Sequence, residues 1–234
     1  METVGMEGFL RWDETWTADT PRQAVARVLD AKLDELTDSG TLSVKPPASL
    51  ALWRIPEEDK RILRTYGMPR IVQPDSLLRV GAAFQGSADP GYSAGNVTGY
   101  VIAECLDVLL VSCESTGAVF AVPPVRDLPP ALAHQHPNGI PDELVNSSTG
   151  AFVQFAWRWC RLAAILIREQ EIADAADVTA WRAAGESGDA VRDIDFHGTY
   201  RALCHIVREQ FRAWDPVAVA SDQSMWSNMI GGFE

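Results

Sequence analysis

The sequence predicts an α+β fold, a mostly antiparallel sheet covered by helices. Three observations point to it. Residues 144–168 (LVNSSTGAFVQFAWRWCRLAAILIR) place Phe152, Phe155, Ala156, Trp159, Leu162, Ala163 and Leu166 three or four apart, on one face of a helix. Runs at 97–104 and 108–113 are apolar and rich in β-branched residues; with a short strand candidate at 77–83 and a further run at 119–122 they lie about ten residues apart. Their connections are too short for helical crossovers, so antiparallel neighbours are expected. Apolar residues make up 47% of the chain, enough to bury a core rather than leave it disordered.

Taken in order, residues 1–18 carry Phe9, Leu10, Trp12 and Trp16 among acidic side chains, a strap that docks its aromatics. Thr20, Pro21 and Gln23 read as an N-cap, a proline at the first helical position and a capping-box partner. They open a helix over 20–39 with a stripe of Val25, Leu29, Leu33 and Leu36, stopped by Gly40. Pro46 and Pro47 break the next stretch. Pro56 starts a short helix with Glu57, Glu58 and Asp59 in its first turn, where the helix dipole favours negative charge. Ile62, Leu63 and Tyr66 are its apolar positions, and Gly67 ends it. Residues 85–96, rich in Gly, Ser, Ala and Asp, read as an exposed, mobile loop. The strands are more apolar than alternating, which implies cover. Residues 114–117 form the turn before 119–122. Six prolines stiffen 123–141, and 144–146 rejoins the sheet.

Asn146, Ser147 and Ser148 offer caps for the helix at 148–168. Its apolar face should bury Phe152, Phe155, Trp159 and Leu166 against the sheet at Val101, Leu109, Val111 or Phe120. Gln154, Arg158, Arg161 and Arg168 fall on the other face, so the helix is not a membrane span: each arginine near mid-bilayer costs about 2.5–3.5 kcal/mol. A short helix at 174–184, a break at 185–189 and a helix over 192–213 follow. Phe196, Tyr200, Leu203, Val207 and Phe211 make the last helix's buried face. The whole reads as one domain, with its core at about 55–165, an N-terminal helix at 20–39 and C-terminal helices at 174–214 as extensions.

Chemistry is sparse. The net charge of −12 argues against a sequence-independent nucleic-acid binder, which needs cations for phosphates, and suits a basic protein partner. Cys105, Cys113, Cys160 and Cys204 form no C-x-x-C pair and read as buried thiols in a reducing cytoplasm. The N-terminus lacks a basic region followed by an apolar core, so no secretory signal is read. His134 and His136 have chelating spacing but no supporting ligand cluster, so no metal site is assigned. His197 and His205 read as structural residues of the last helix. Ser112-Cys113-Glu114-Ser115 lacks a nucleophile elbow, and no phosphate-binding loop occurs. No catalytic residue and no cofactor follow from the sequence.

Four pieces in order carry a resemblance: the helix ending in Tyr66-Gly67-Met68-Pro69, the strand pair around 100–113, the turn Glu114-Ser115-Thr116-Gly117, and Asn146-Ser147-Ser148 with Phe152 opening a helix. Over about 55–165 the chain resembles the SUKH superfamily, and within it the fourth immunity-protein branch. Met68 stands where that branch often has Leu, and Glu114 where the superfamily often has Asp. The resemblance implies a SUKH-like α+β fold. It also implies an immunity protein that binds and neutralises a cognate polymorphic toxin in the cytoplasm, with no catalytic residues to carry over. A regulatory adaptor and a small cytosolic enzyme are the alternative readings. For a toxin partner of basic character, and with neither nucleic acid nor membrane as a partner, the recognition loops are 85–96 and 126–138. Asp89, Tyr92 and Asp127 are their binding residues: an aromatic to anchor, carboxylates to select a cationic surface.

Overall fold

A computed structural model describes residues 20–37, 43–70, 80–94, 97–105, 108–122, 142–187 and 194–231. The strap at 1–18, the proline-rich connection with His134 and His136, and Asp127 lie outside the described residues.

The capping box forms as the sequence predicts. The Thr20 and Gln23 side chains each accept the other's backbone N–H, opening helix α1 (Pro21–Asp30). The helix does not run on to 39. Ala31 turns extended, and a second short helix, α2 (Leu33–Thr37), begins with Glu35 accepting the Lys32 N–H. No glycine or proline marks this break; the donors that stabilise it come from far along the chain and are described below.

Strand β1 (Ser43–Val44) and a 3-10 turn (Ala48–Leu52) lead to α3 (Glu57–Tyr66) and β2 (Met68–Pro69), which pairs antiparallel with β1. Gly67 ends α3 at φ +66°, a conformation that only glycine adopts without strain, and a Cβ there would collide with the Val44 carbonyl. The main sheet comprises β3 (Val80–Ala82), β4 (Tyr92–Ala94), β5 (Val97–Cys105), β6 (Val108–Cys113), β7 (Val119–Val122) and β8 (Glu143–Asn146). Its order is β3-β5-β6-β7-β8, with β4 beside the start of β5, and every pairing is antiparallel.

Two corrections concern the central helix. It is one helix, α4 (Thr149–Ser187), of 39 residues, about 58 Å at 1.5 Å per residue. The predicted separate helix at 174–184 is its continuation, since nothing between 168 and 174 interrupts helical geometry. Phe152, Phe155, Trp159 and Leu166 are buried as expected, but not against the four sheet residues named. Val101, Leu109, Val111 and Phe120 lie on the opposite side of the sheet, in a separate cluster with Val97, Val122 and Tyr92. The inward side carries Tyr100, Ile102, Ala103, Leu110, Val119, Ala121 and Val145. A bulge between Val101 and Ala103 lets Ile102 and Ala103 both point inward.

The aromatics of α4 meet the C-terminal elements α5 (Gly198–Trp214), a 3-10 turn (Pro216–Val219) and α6 (Met225–Gly231). Phe155 packs against Phe211 with ring centroids 4.1 Å apart and the planes tilted, and Trp226 sits within 5.5–6.4 Å of Phe152, Phe155, Phe211 and Trp159. α5 starts at 198 rather than 192; Tyr200, Leu203, Val207 and Phe211 are buried as the periodicity predicts, whereas Phe196 precedes the helix and is half-buried. One continuous core runs from Val25 to Ile230.

Candidate partner-binding surface

Much of the motif chemistry goes into one joint. Ser148 alone of its trio caps α4, its Oγ accepting the Ala151 N–H at 3.1 Å. The first-turn amides of α4 are held by Asp59, from the first turn of α3: its Oδ1 accepts the Gly150 N–H at 2.8 Å, and the Thr149 N–H also bonds this carboxylate. Asp59 Oδ2 is buried without a partner, and burial raises the pKa of the group above the usual carboxylate range. The Thr149 hydroxyl donates to the Gly117 carbonyl at 2.8 Å and lies 2.6 Å from Ser112 Oγ. Gly117, at φ +71°, closes the turn against Asp59, where a Cβ would strike Oδ2. The turn is fixed by Glu114 N–H to Thr98 O, Ser115 N–H to Arg54 O and an Arg54–Glu114 ion pair.

Asn146 and Ser147 do other work. Asp215 Oδ2 accepts the Asn146 amide at 3.0 Å and the Ser147 N–H at 2.9 Å, while Asn146 Oδ1 accepts the Trp226 indole N–H at 2.9 Å. The Trp157 indole N–H reaches the Gly67 carbonyl. The Asn146, Asp215, Trp157 and Trp226 side chains are thus occupied in joining elements.

Two of the three arginines assigned to the polar face of α4 also turn inward. Arg158 is 7% exposed; its guanidinium donates to the Leu29 carbonyl at 3.4 Å and to the Ala31 carbonyl at 2.9 Å, and lies 4.5 Å over the Trp214 ring. Arg161 donates to the Leu36 carbonyl at 3.2 Å. These carbonyls sit at the C-terminal ends of α1 and α2, where helices lack internal donors and where positive charge is favoured. Burial lowers the pKa of both guanidinium groups. Arg158 is buried and Arg161 half-buried, which corrects their assignment to a solvent face, while Gln154 and Arg168 are exposed as that reading expects.

The sequence-predicted binding residues divide. Asp89 is exposed at the tip of its loop. Tyr92 is half-buried on β4, and its hydroxyl donates to Asp142 Oδ1 at 3.2 Å; burial, then the Asp142 charge, raises its pKa. The loop is tied down. Gln85 accepts the Val101 N–H and donates to the Asp89 carbonyl, Ser87 Oγ accepts the Asp89 N–H, and the Trp53 indole donates to the Ser87 carbonyl. Trp53 itself stacks on Tyr100 at 4.6 Å. Asp89 and Tyr92 thus share one braced element, and Asp127 cannot be placed beside them because it lies outside the described residues.

A groove of about 400 Å³ runs between Lys45, Pro46, Pro47, Ala48, Leu50, Ala51 and Arg64. Its lining holds two cations and no carboxylate or histidine, so it presents no acid–base pair. Among the described residues no group of three His, Cys, Asp or Glu side chains converges on a metal position. None of the four cysteines is in a disulfide; burial pushes the Cys105 thiol up to about 11 and Cys160 up to about 12. Among the described residues no helix is long and apolar enough to cross a membrane. Sequence reasoning missed the largest exposed apolar side chains, Leu52 beside the groove and Trp181 on the far half of α4, at 68% and 63% exposure.

The model of the SUKH-4 immunity protein family matches residues 28–231. The chain belongs to the SUKH-4 immunity protein family. The match runs from within α1 to the end of α6, well beyond the stretch 55–165 whose motifs carried the resemblance. It takes in the Asp59–Thr149 joint, the Asp215 joint and the buried arginines. No curated protein and no solved structure matches the chain. In this SUKH-4 protein the motif residues hold elements together, and surfaces for a partner must be sought on the braced 85–94 loop, beside the groove and along α4.

Proposed function

We propose that this SUKH-4 protein is an immunity factor. It binds a cognate toxin domain non-covalently and occludes it, as one domain, in the cytoplasm of the cell that makes the toxin, with no turnover of its own. The observation that carries this reading is the family match over 28–231. Three features support it. The net charge of −12 complements a toxin that must hold phosphates with cations. The motif residues are spent on structural joints rather than gathered around a substrate-sized site. The loop with Asp89 and Tyr92 is rigidly backed, so it binds without first having to be ordered.

The test is binding to the toxin domain encoded by the adjacent gene, measured over a salt series, with survival of cells co-expressing the two proteins. Tight binding with association that slows as salt rises, together with restored growth, is the expected result. Absence of binding, or binding without protection, counts against the immunity role.

A further inference from the structure

Residues 43–70 form a basic stretch in an acidic chain, with six cations and three carboxylates against a net charge of −12. Those three carboxylates are engaged. Asp59 is buried in the joint with α4, and Glu58 bonds Arg61 at 2.8 Å. Lys60 bonds Glu57 at 2.7 Å, and the charge of Arg64 acts on the same carboxylate. Asp34 on α2 is hydrogen-bonded to the Tyr66 hydroxyl. Lys45 and Arg64 are both exposed at the groove, whose apolar wall is Pro46, Pro47 and Ala51, with Leu52 beside it.

We propose that this groove docks the acidic, aromatic segment Glu7–Trp16 of its own chain. Composition selects the occupant. Residues 1–19 hold five carboxylates and one cation, together with Phe9, Leu10, Trp12 and Trp16. Two other stretches outside the described residues, 71–79 and 123–141, each balance one Asp with one Arg. Trp12-Asp13-Glu14-Thr15-Trp16 sets two carboxylates between two indoles, which suits two cations beside an apolar wall. The tether is long enough. Tyr66, which holds Asp34, is next to Thr65, whose carbonyl holds Lys45 at 2.5 Å. Helix α1, which separates Thr20 from α2, has ten residues and is about 15 Å long. The seven residues from Thr20 back to Asp13 span about 24 Å when extended. Tethering also raises the segment's effective concentration to about the millimolar range. A second copy of this acidic chain is repelled at micromolar concentration, and a basic toxin meets like charge at this groove. The proposal therefore stands apart from the immunity reading.

The experiment uses the full chain and an arginine-specific protease, because Arg11 lies inside the segment. Reversing both groove cations, Lys45→Glu with Arg64→Glu, is expected to speed cleavage after Arg11 at least about tenfold, as the undocked population rises. Cleavage after Arg27, within α1, should stay as slow as in the wild type and so shows that the variant is folded. Adding Asp13→Lys and Glu14→Lys to the reversed groove should restore protection. Zero-length carbodiimide coupling of the wild type should join Lys45 to Asp13 or Glu14 within one chain. Equal cleavage after Arg11 in all variants, or no rescue by the charge swap, overturns the proposal. So does coupling of the segment to Lys32 alone, or coupling only between copies. Protection of Arg11 that appears only when the toxin domain is added makes the groove a partner site and overturns it too. None of these outcomes bears on the immunity role, which is read by toxin binding.

Discussion

Asp59 occupies the first turn of α3, where its charge could face water and the helix dipole, yet it reaches across to the first turn of α4. Backbone donors from Gly150 and Thr149 favour the carboxylate, but burial outweighs them, and the pKa is raised. A raised pKa means that the folded protein takes up this proton more readily than the unfolded chain does. The stabilisation linked to that proton is full below the unfolded carboxylate pKa and is lost as pH rises through the folded value. The stability of the wild type relative to Asp59→Asn should therefore fall as pH climbs through the window just above the ordinary carboxylate range, as read by denaturant melts at stepped pH. Gly117→Ala should be worse than a typical surface change. It meets Asp59 Oδ2 and adds left-handed backbone strain of about 1–2 kcal/mol, which thermal melting will report. The Glu114–Gly117 turn and Asn146–Ser148 stand out in the sequence as polar punctuation between apolar runs. Their partners do not, because Asp59, Thr98 and Asp215 lie far from them in sequence.

At the scale of elements, the strands from β5 to β8, the capping box and the Gly67 stop of α3 were legible, while the strand β4 and the C-terminal ends of α1 and α4 were not. Periodicity assigns an arginine to solvent, and Arg158 breaks that rule by finding carbonyl acceptors at helix termini. Arg158→Met keeps much of the volume but leaves the Leu29 and Ala31 carbonyls without their donor. It should destabilise by about 1–3 kcal/mol for each buried group left unsatisfied, measured by urea unfolding. The same carbonyls explain why α1 stops at Asp30 with no glycine or proline nearby. The orientation of the sheet was hidden because β6 and β7 are apolar on both sides, so alternation gave no direction, and the bulge in β5 shifts its own alternation midway. The α4 aromatics were correctly called to the core, but their partners lie in α5 and α6. Trp226→Ala should cost about 3–5 kcal/mol, and its effect combined with Phe155→Ala should be non-additive because the rings touch.

Across the whole molecule, an excess of twelve negative charges acts on a core that is continuous from α1 to α6. Self-repulsion favours expansion, so raising sodium chloride from low to physiological strength should raise the melting temperature even as it slows capture of a cationic partner. Stability and association thus respond to salt in opposite directions, and measuring both on one sample separates them. The arginine that holds the Ala31 carbonyl lies 127 positions further along the chain. At about 10 residues per second, a ribosome leaves α1 outside the exit tunnel for roughly 10 s before that donor is even made. Among the described helices α1 is the first to be synthesised and among the last to be secured, so newborn chains depend on whatever shelters its Val25–Val28–Leu29 stripe until α4 arrives.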